Sequence, residues 1–345
     1  MLNPTTFREL VSGRRQGALA TFLRAGLRLA EFPYRWVMAR RNRRYERGHS
    51  EIVRVDRPVI SVGNLTLGGT GKTPLVEWLA RHFRRQGIRV SIVSRGYGAE
   101  QGKRNDEALE LALALPDVPH LQNPNRVEAA QTAIDQLDTQ LVLLDDGFQH
   151  RRLARDLDIV LLDATEPFGF EHVFPRGTLR ESLTGLARAQ VVVLSRADML
   201  DPIARRPIQD RVAQFSPAAI WCEVVHKPFA LLDAAGKDQP LATLEGKRIA
   251  AFCGIGNPAG FRYTLETLGG DVTAWREFPD HHTYTREDVE SLAPWATTAD
   301  QVLCTRKDLV KLGVTSLGDI PLHAVSVKLD FLAGQADLEA ALEGI

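Results

Sequence analysis

The sequence predicts an α/β fold of two units, each a parallel sheet layered with helices. Three observations predict it. Short runs rich in Val, Ile and Leu recur from residue 59 onward, as expected of strands buried on both faces. Helical stretches separate some of these runs, as at 74–86 and 126–137, and that order implies parallel pairing. A second, shorter cycle of the same kind begins at residue 248. With 345 residues, 44% hydrophobic and 25% charged, the chain is long enough for about two domains with sizeable cores. This composition excludes a disulfide miniprotein, a collagen, a disordered tail and a long coiled coil.

The first element is a basic amphipathic segment. Residues 1–50 carry eleven arginines against three glutamates, net +8, and the remaining 295 residues carry −8, so the chain's overall neutrality hides a separation. Leu19, Phe22, Leu23, Leu27 and Ala30 recur at helical spacing, with Arg24 and Arg28 on another side. Trp36, Val37 and Met38 follow Pro33, and then comes Arg40-Arg41-Asn42-Arg43-Arg44. A basic helix with an aromatic belt suits an anionic membrane surface. Packing on the protein's own core, with a solvated Arg face, is the alternative, and this segment alone leaves both open. No nucleic-acid-binding motif accompanies the charge, so no nucleic-acid partner is expected. The longest stretch without Asp, Glu, Lys or Arg is 14 residues, 58–71, too short to span a bilayer. No apolar signal segment opens the chain. Cys222, Cys253 and Cys304 are few, odd in number and far apart, as expected of a reducing compartment.

Strands are expected at 59–65, 90–94, 141–144, 159–162 and 191–194, making residues 51–230 the larger unit. Residues 231–322 form the smaller one, with strands at 248–252, 272–275 and 302–305 and helices at 260–268 and 286–293. Strands at 220–228 and 323–331 flank that unit and would pair as a hinge; residues 323–345 then return to the first unit.

The chemistry concentrates at strand ends. Val62-Gly63-Asn64-Leu65-Thr66-Leu67-Gly68-Gly69-Thr70-Gly71-Lys72-Thr73-Pro74 runs from a buried strand through a glycine-rich turn into a helix. This is a phosphate-binding loop. Glycines let backbone N–H groups face inward, Lys72 reaches the β/γ-phosphates, and the Thr73 hydroxyl ligates Mg²⁺. Thr66 stands where the strict pattern has glycine. Gly68, Gly69, Thr70, Gly71, Lys72 and Thr73 are therefore the candidate ATP contacts. Leu141-Val142-Leu143-Leu144-Asp145-Asp146-Gly147-Phe148-Gln149-His150 places two acids at the carboxyl end of a buried strand, where open parallel sheets bind ligands and such acids hold Mg²⁺. Ser94-Arg95-Gly96-Tyr97-Gly98 ends another strand on that edge, and Asn105-Asp106-Glu107 offers a base. Arg176-Gly177-Thr178-Leu179-Arg180-Glu181 offers phosphate and metal contacts, and Phe278-Pro279-Asp280-His281-His282 an Asp–His pair in the smaller unit.

Together these motifs resemble the tetraacyldisaccharide 4′-kinases, the lipid A 4′-kinases of Gram-negative bacteria. The resemblance runs over the basic N-terminal helix and residues 61–74, 94–98, 106–107, 144–150, 177–181, 251–261, 280–281 and 305–312. It implies a P-loop NTPase-like α/β/α domain and a smaller α/β/α domain joined by a two-stranded linker. It implies transfer of the ATP γ-phosphate to the 4′-hydroxyl of an acylated glucosamine disaccharide 1-phosphate, at the cytoplasmic face of the inner membrane, with no obligatory protein partner. Lys72 and Thr73 would serve phosphates and Mg²⁺. Asp145, Asp146, Gln149, Arg180 and Glu181 would line the nucleotide and metal side, with Asp145, Asp146 and Glu181 as metal ligands. Asp106 would be the base, assisted by His281 oriented by Asp280. Two departures stand out: Asn125-Arg126 where the family often has Asp-Arg, touching a polar contact near the site, and Thr305-Arg306-Lys307-Asp308 where it has Thr-Glu-Lys-Asp, expected to concern local packing of the far unit. A phosphate-loop switch ATPase is the rival from another class, but those with this loop typically carry Lys where Leu67 stands. A membrane scaffold with a degenerate nucleotide site is a second rival, against which the intact Lys72, Thr73, Asp145 and Asp146 count.

Overall fold

The β-branched runs form the expected strands, with ends moved by one to a few residues. A computed structural model describes residues 4–96, 106–280 and 282–345. In chain order the larger unit contains β1 (Val59–Asn64), α3 (Lys72–Arg85), β2 (Val90–Ser94), α4 (Asp106–Ala114), β3 (His120–Gln122), α5 (Arg126–Leu137), β4 (Leu141–Asp145), β5 (Leu157–Asp163), β6 (Val191–Ser195) and α6 (Pro202–Ala213). It is preceded by α1 (Pro4–Val11) and α2 (Ala18–Glu46). Then come β7 (Ile220–Leu232), β8 (Asp238–Gln239), β9 (Arg248–Cys253), α7 (Pro258–Glu266), β10 (Asp271–Glu277), α8 (Arg286–Trp295), β11 (Gln301–Thr305), α9 (Arg306–Leu312), β12 (Ser316–Leu317), β13 (Ile320–Ala333) and α10 (Gln335–Glu343).

Among the described residues one sheet runs β10-β9-β11-β13-β7-β6-β5-β1-β4-β2-β3. Every neighbouring pair on that path is parallel except β13 and β7. The register explains the cleft. β6 pairs with the start of β7 at residues 220–224, and β11 pairs with the start of β13 at 322–325. Between these ends β7 and β13 run antiparallel as a ribbon, Ala324 opposite Leu232 and Phe331 opposite Val224. Each parallel block therefore points its carboxyl edge along the ribbon toward the other block. Residues 230/231 and 322/323 lie inside these two strands, so the chain passes between halves through strands rather than through a loose linker.

Each half has its own core. Leu75, Leu79 and Phe83 of α3 pack on Ile60 and Ile92 on one face of the larger sheet, and Leu162, Val192 and Leu194 pack with Ile208 of α6 on the other. Phe252, Leu292 and Val302 centre one layer of the smaller half, and Ile249, Leu265 and Leu303 the second.

The 29-residue α2, about 44 Å long, continues through Pro33. Its inner contacts are polar. Glu31 accepts from the Val173 amide at 3.0 Å and pairs with His172 Nδ1 at 3.1 Å, Tyr34 donates to the Arg180 carbonyl at 3.2 Å, and Asn42 donates to Glu181 at 2.7 Å. Its apolar residues face out: Phe22 is 75% exposed, Leu29 73%, Leu19 68% and Trp36 63%. Among the described residues no helix is long and apolar enough to cross a membrane.

Candidate active site

β1 ends at Asn64, whose side-chain amide donates to the Thr66 carbonyl at 2.8 Å and shapes the turn into the loop. The loop's edge is held by residues 178–180: Leu67 N–H donates to the Thr178 carbonyl and Arg180 N–H to that of Leu65, both at 2.7 Å. Gly68 and Gly71 take φ of 113° and 82°, which a side chain resists, so glycine is required there. α3 then starts at Lys72.

The loop is braced from behind by groups that the motif reading passed over. Ser195 Oγ donates to the Thr70 carbonyl at 2.8 Å, and Arg196 Nη2 to that of Gly69 at 3.2 Å. Tied carbonyls leave the loop's amides free to face a phosphate. The signal was available, because Ser195-Arg196 directly follows the strand expected at 191–194. Arg196 also pairs with Asp163 at 2.5 Å, and Asn257 Nδ2, at the start of α7, donates to that carboxylate at 3.1 Å. The smaller half thus reaches the loop's support.

Facing the loop, Lys72 Nζ lies 3.3 Å from Asp146, and Arg180 Nη1 contacts both oxygens of Asp146 at 2.9 and 2.8 Å. Burial opposes the charge on Asp146, but Lys72 and Arg180 outweigh it and hold its carboxyl well below the ordinary range. Asp145 is the opposite case. Burial, reinforced by Glu107 and Asp146 against the pull of Lys72, pushes its carboxyl up to about 7. Its Oδ1 has neither solvent access nor a hydrogen-bond partner among the described residues. An acid short of positive charge in the same cleft lining as Thr73 suits a divalent cation, for which Asp145 and Thr73 would be donors.

The other expected metal ligands are placed differently. Both oxygens of Asp146 are engaged by cations. Glu181 is 1% exposed and does not line the cleft; Arg188 at 2.8 Å, Gln149 at 3.1 Å and Asn42 at 2.7 Å occupy its carboxylate. Glu181 therefore anchors α2 and Gln149 to the loop after β5. Gln149 lines the cleft, its amide tied to the Asn64 carbonyl at 3.0 Å. Among the described residues no three His, Cys, Asp or Glu gather into a ready metal cluster.

The opposite wall consists of charged side chains from both halves. Asp106 opens α4 but does not line the cleft; the structure pairs it with Lys311 of α9 at 2.6 Å. Its neighbour Glu107 lines the cleft and pairs with Lys307 at 3.4 Å. Arg306 crosses from α9 to Glu77 of α3 at 3.0 Å, both side chains nearly buried. The Thr-Arg-Lys-Asp departure thus bears on contact between the halves, contrary to the expected local packing. Burial works against the charge on Lys307, yet Glu107, Glu110 and Asp280 raise its affinity for a proton above the ordinary value. Asp280 lines the cleft, whereas His281, Tyr97, Gly98 and Asn105 lie outside the described residues. His282 pairs with Asp288 at 2.9 Å and supports the N-terminus of α8. At the other departure, Asn125 contacts Glu128 at 3.3 Å, and the largely buried Arg126 lies 3.5 Å from His150 Nδ1.

These walls enclose a cleft of about 660 Å³ between the two carboxyl edges, floored by His226, Val325 and Val327 of the ribbon. α1 reaches a residue of its lining: Arg8 donates to the Gly256 carbonyl at 2.7 Å and lies 3.7 Å from Glu166.

Comparison with known proteins agrees with this arrangement. The profile of the family described as tetraacyldisaccharide-1-P 4′-kinase matches residues 23–345. A tetraacyldisaccharide 4′-kinase of Anaeromyxobacter sp. (strain K) is 41% identical over 350 residues, covering 95% of this chain and 92% of that protein. One from Geobacter sulfurreducens is 38% identical, covering 98% of each. The crystal structure of LpxK from Aquifex aeolicus in complex with ATP superposes with a TM-score of 0.75 at 28% identity, over 93% of this chain and 99% of that one. The chain belongs to the tetraacyldisaccharide-1-P 4′-kinase family.

Proposed function

We propose that this chain transfers the γ-phosphate of ATP to the 4′-hydroxyl of tetraacyldisaccharide 1-phosphate, forming lipid IVA in lipid A biosynthesis. The observation that carries the reading is the phosphate loop facing Asp145 and Asp146 inside a cleft bounded by two carboxyl edges. Phosphoryl transfer asks for positioning, charge neutralisation and a proton acceptor. Lys72, Arg180 and the loop amides bind and orient the phosphates. Asp145 and Thr73 would hold Mg²⁺, which would supply neutralising charge to the phosphates. Asp106 accepts the hydroxyl proton, with Asp280 and His281 assisting from the smaller half. Because Lys311 holds Asp106 at 2.6 Å, this step follows opening of that pair.

The acceptor is acylated and resides in a bilayer. α2 suits that surface, with Leu19, Phe22, Leu29 and Trp36 outward and Arg40, Arg43 and Arg44 beside them. Its inner face touches Gln149, Arg180 and Glu181, so membrane contact and phosphate site share one helix. The reading places the enzyme peripherally at the cytoplasmic face of the bacterial inner membrane.

The test is incubation of the purified chain with γ-labelled ATP, Mg²⁺ and the acylated disaccharide 1-phosphate in detergent. Label in the lipid fraction supports the kinase. Label released only as inorganic phosphate would establish the rival switch ATPase instead.

A further inference from the structure

Strand β7 contributes an imidazole, part-exposed to the cleft but with its Nε2 out of reach of solvent, to the underside of the phosphate loop. A Cβ built on Gly71 would overlap His226 Cε1, and it would lie 2.7 Å from Nε2 and 3.1 Å from Ser195 Oγ. The ring therefore occupies the space that glycine leaves open. Its Nε2 has no solvent access and no hydrogen-bond partner among the described residues. His226 is not spare packing between apolar neighbours: it lines the cleft floor, and Arg196, which holds the Gly69 carbonyl, is close enough to disfavour its protonation. Burial is the larger influence, and together they push the imidazole down to about 3, so the ring is neutral throughout the physiological range.

We propose that His226 is a positioning residue for phosphoryl transfer: its neutral ring backs Gly71, holds the peptide before Lys72 in its left-handed turn, and ties the loop to the ribbon joining the two halves. A neutral wedge suits this place, because Lys72 supplies the charge for phosphate and a second buried cation would compete with it. His226 stands opposite Leu329 in the β7–β13 pairing, midway between the two blocks. A shift of the smaller half along the ribbon is thereby felt at Gly71. The inference rests on residues 68–73 being the nucleotide phosphate site, and the Lys72→Ala variant tests that assignment separately.

The experiment measures MgADP affinity by calorimetry, KM for ATP and for lipid, and thermal midpoint in His226→Ala, His226→Gln, Gly71→Ala and Gly71→Ala/His226→Ala. His226→Ala should weaken MgADP binding about tenfold or more and raise the KM for ATP. The KM for lipid and the thermal midpoint should change little. His226→Gln, which keeps a neutral planar group of similar reach, should recover part of the affinity. The double variant should lose much less than the product of the two single losses, since the methyl group that Gly71→Ala introduces then has space. Unchanged nucleotide affinity in His226→Ala, or losses that multiply in the double variant, would overturn the proposal. If His226→Ala does not fold, His226→Gln and its coupling to Gly71→Ala decide the matter. Loss of MgADP binding in Lys72→Ala with normal binding in His226→Ala would reject the positioning role while sparing the phosphate-site assignment.

Discussion

Behind the phosphate loop, Ser195 and Arg196 hold backbone carbonyls and His226 fills the space at Gly71. Across the cleft, Arg306 and Lys307 hold the carboxylates of Glu77 and Glu107, and Lys311 holds that of Asp106 outside the cleft lining. The rear contacts come from the end of β6, whose residues are all buried, and from β7, where buried and part-exposed residues mix. The front contacts join flexible charged side chains on helices from different halves. A nucleotide meets a rear wall whose amides are already oriented, which is the preorganisation that electrostatic catalysis requires. On the proposed mechanism, Asp106 takes the acceptor's proton only after its pair with Lys311 opens. The molecule thus braces backbone carbonyls behind the proposed phosphate site and sets ion pairs between side chains of the two halves on the other wall.

The sharpest way to break this comparison is Lys72→Ala. The ion pair of Lys72 is with Asp146, at the cleft rather than in the core, so the fold should survive. Transfer should fall by at least about 10³-fold, because the site's phosphate cation is gone. Near-normal turnover in the folded variant would remove the phosphate loop from the chemistry.

Helix α2 offers the next effect. Arg41 donates to the Gln149 carbonyl at 2.6 Å, so it belongs to the inner face and should be spared. Replacing Arg40, Arg43 and Arg44 with Ser should weaken sedimentation with anionic vesicles about a hundredfold, at roughly 1 kcal/mol per basic residue. KM for lipid should rise and that for ATP should hold. Unchanged vesicle binding and lipid KM would leave α2 as a purely structural helix.

A pH series sharpens the difference between the two neighbouring acids. Asp145 titrates near 7 in the folded chain and near its ordinary value of 3.8 when unfolded. Without a cation, the folded state therefore binds a proton that the unfolded chain releases between these values. Stability from this group is present below about pH 4 and is lost as pH rises to about 7. Cation binding needs the carboxylate, so Mg²⁺ affinity should drop below pH 7, approaching tenfold per pH unit. Asp145→Asn should weaken binding and remove this slope, read by calorimetry at pH 6, 7 and 8. A pH-independent Mg²⁺ affinity in the parent chain would place the cation elsewhere. Asp146, held charged by Lys72 and Arg180, should contribute no slope in this range.

The smallest effect is at Arg306. Glu77 keeps a second partner in Arg81 at 3.0 Å, so Arg306→Ala should cost only about 1 kcal/mol. A double-mutant cycle with Glu77→Ala, read by chemical denaturation, should return a coupling of that order. Coupling near zero would mean that the halves do not interact through this pair.

Much of this was legible in the sequence. Buried strands announced themselves as Val, Ile and Leu runs, and the glycine loop and acidic strand end located the nucleotide side, because backbone geometry there dictates residue type. The length of β7 and β13 was less legible: beyond residue 228 the strand continues through Phe229 to Leu232 without a break in composition from the linker that follows. The partners of charged residues were not legible at all. Asp106 and Glu107 are adjacent acids at the start of one helix, and only the position of α9, some 200 residues away, gives Lys311 to one and Lys307 to the other. Nor did the sequence show that Glu181, expected as a metal ligand, is surrounded by Arg188, Gln149 and Asn42. His226 lay within a strand without a motif and gained its place only through the register of β6 with β7.

The division of the cleft is tested most directly by comparing ATP affinity and single-turnover transfer to the lipid acceptor in Asp106→Asn and Lys72→Ala. The account predicts that Asp106→Asn binds ATP within about threefold of the parent while transfer slows by about 10² to 10⁴, the usual contribution of a general base. Lys72→Ala should lose both. If Asp106→Asn weakened ATP binding as severely as Lys72→Ala, or transferred phosphate at the parental rate, the assignment of nucleotide binding to one wall and proton transfer to the other would be contradicted.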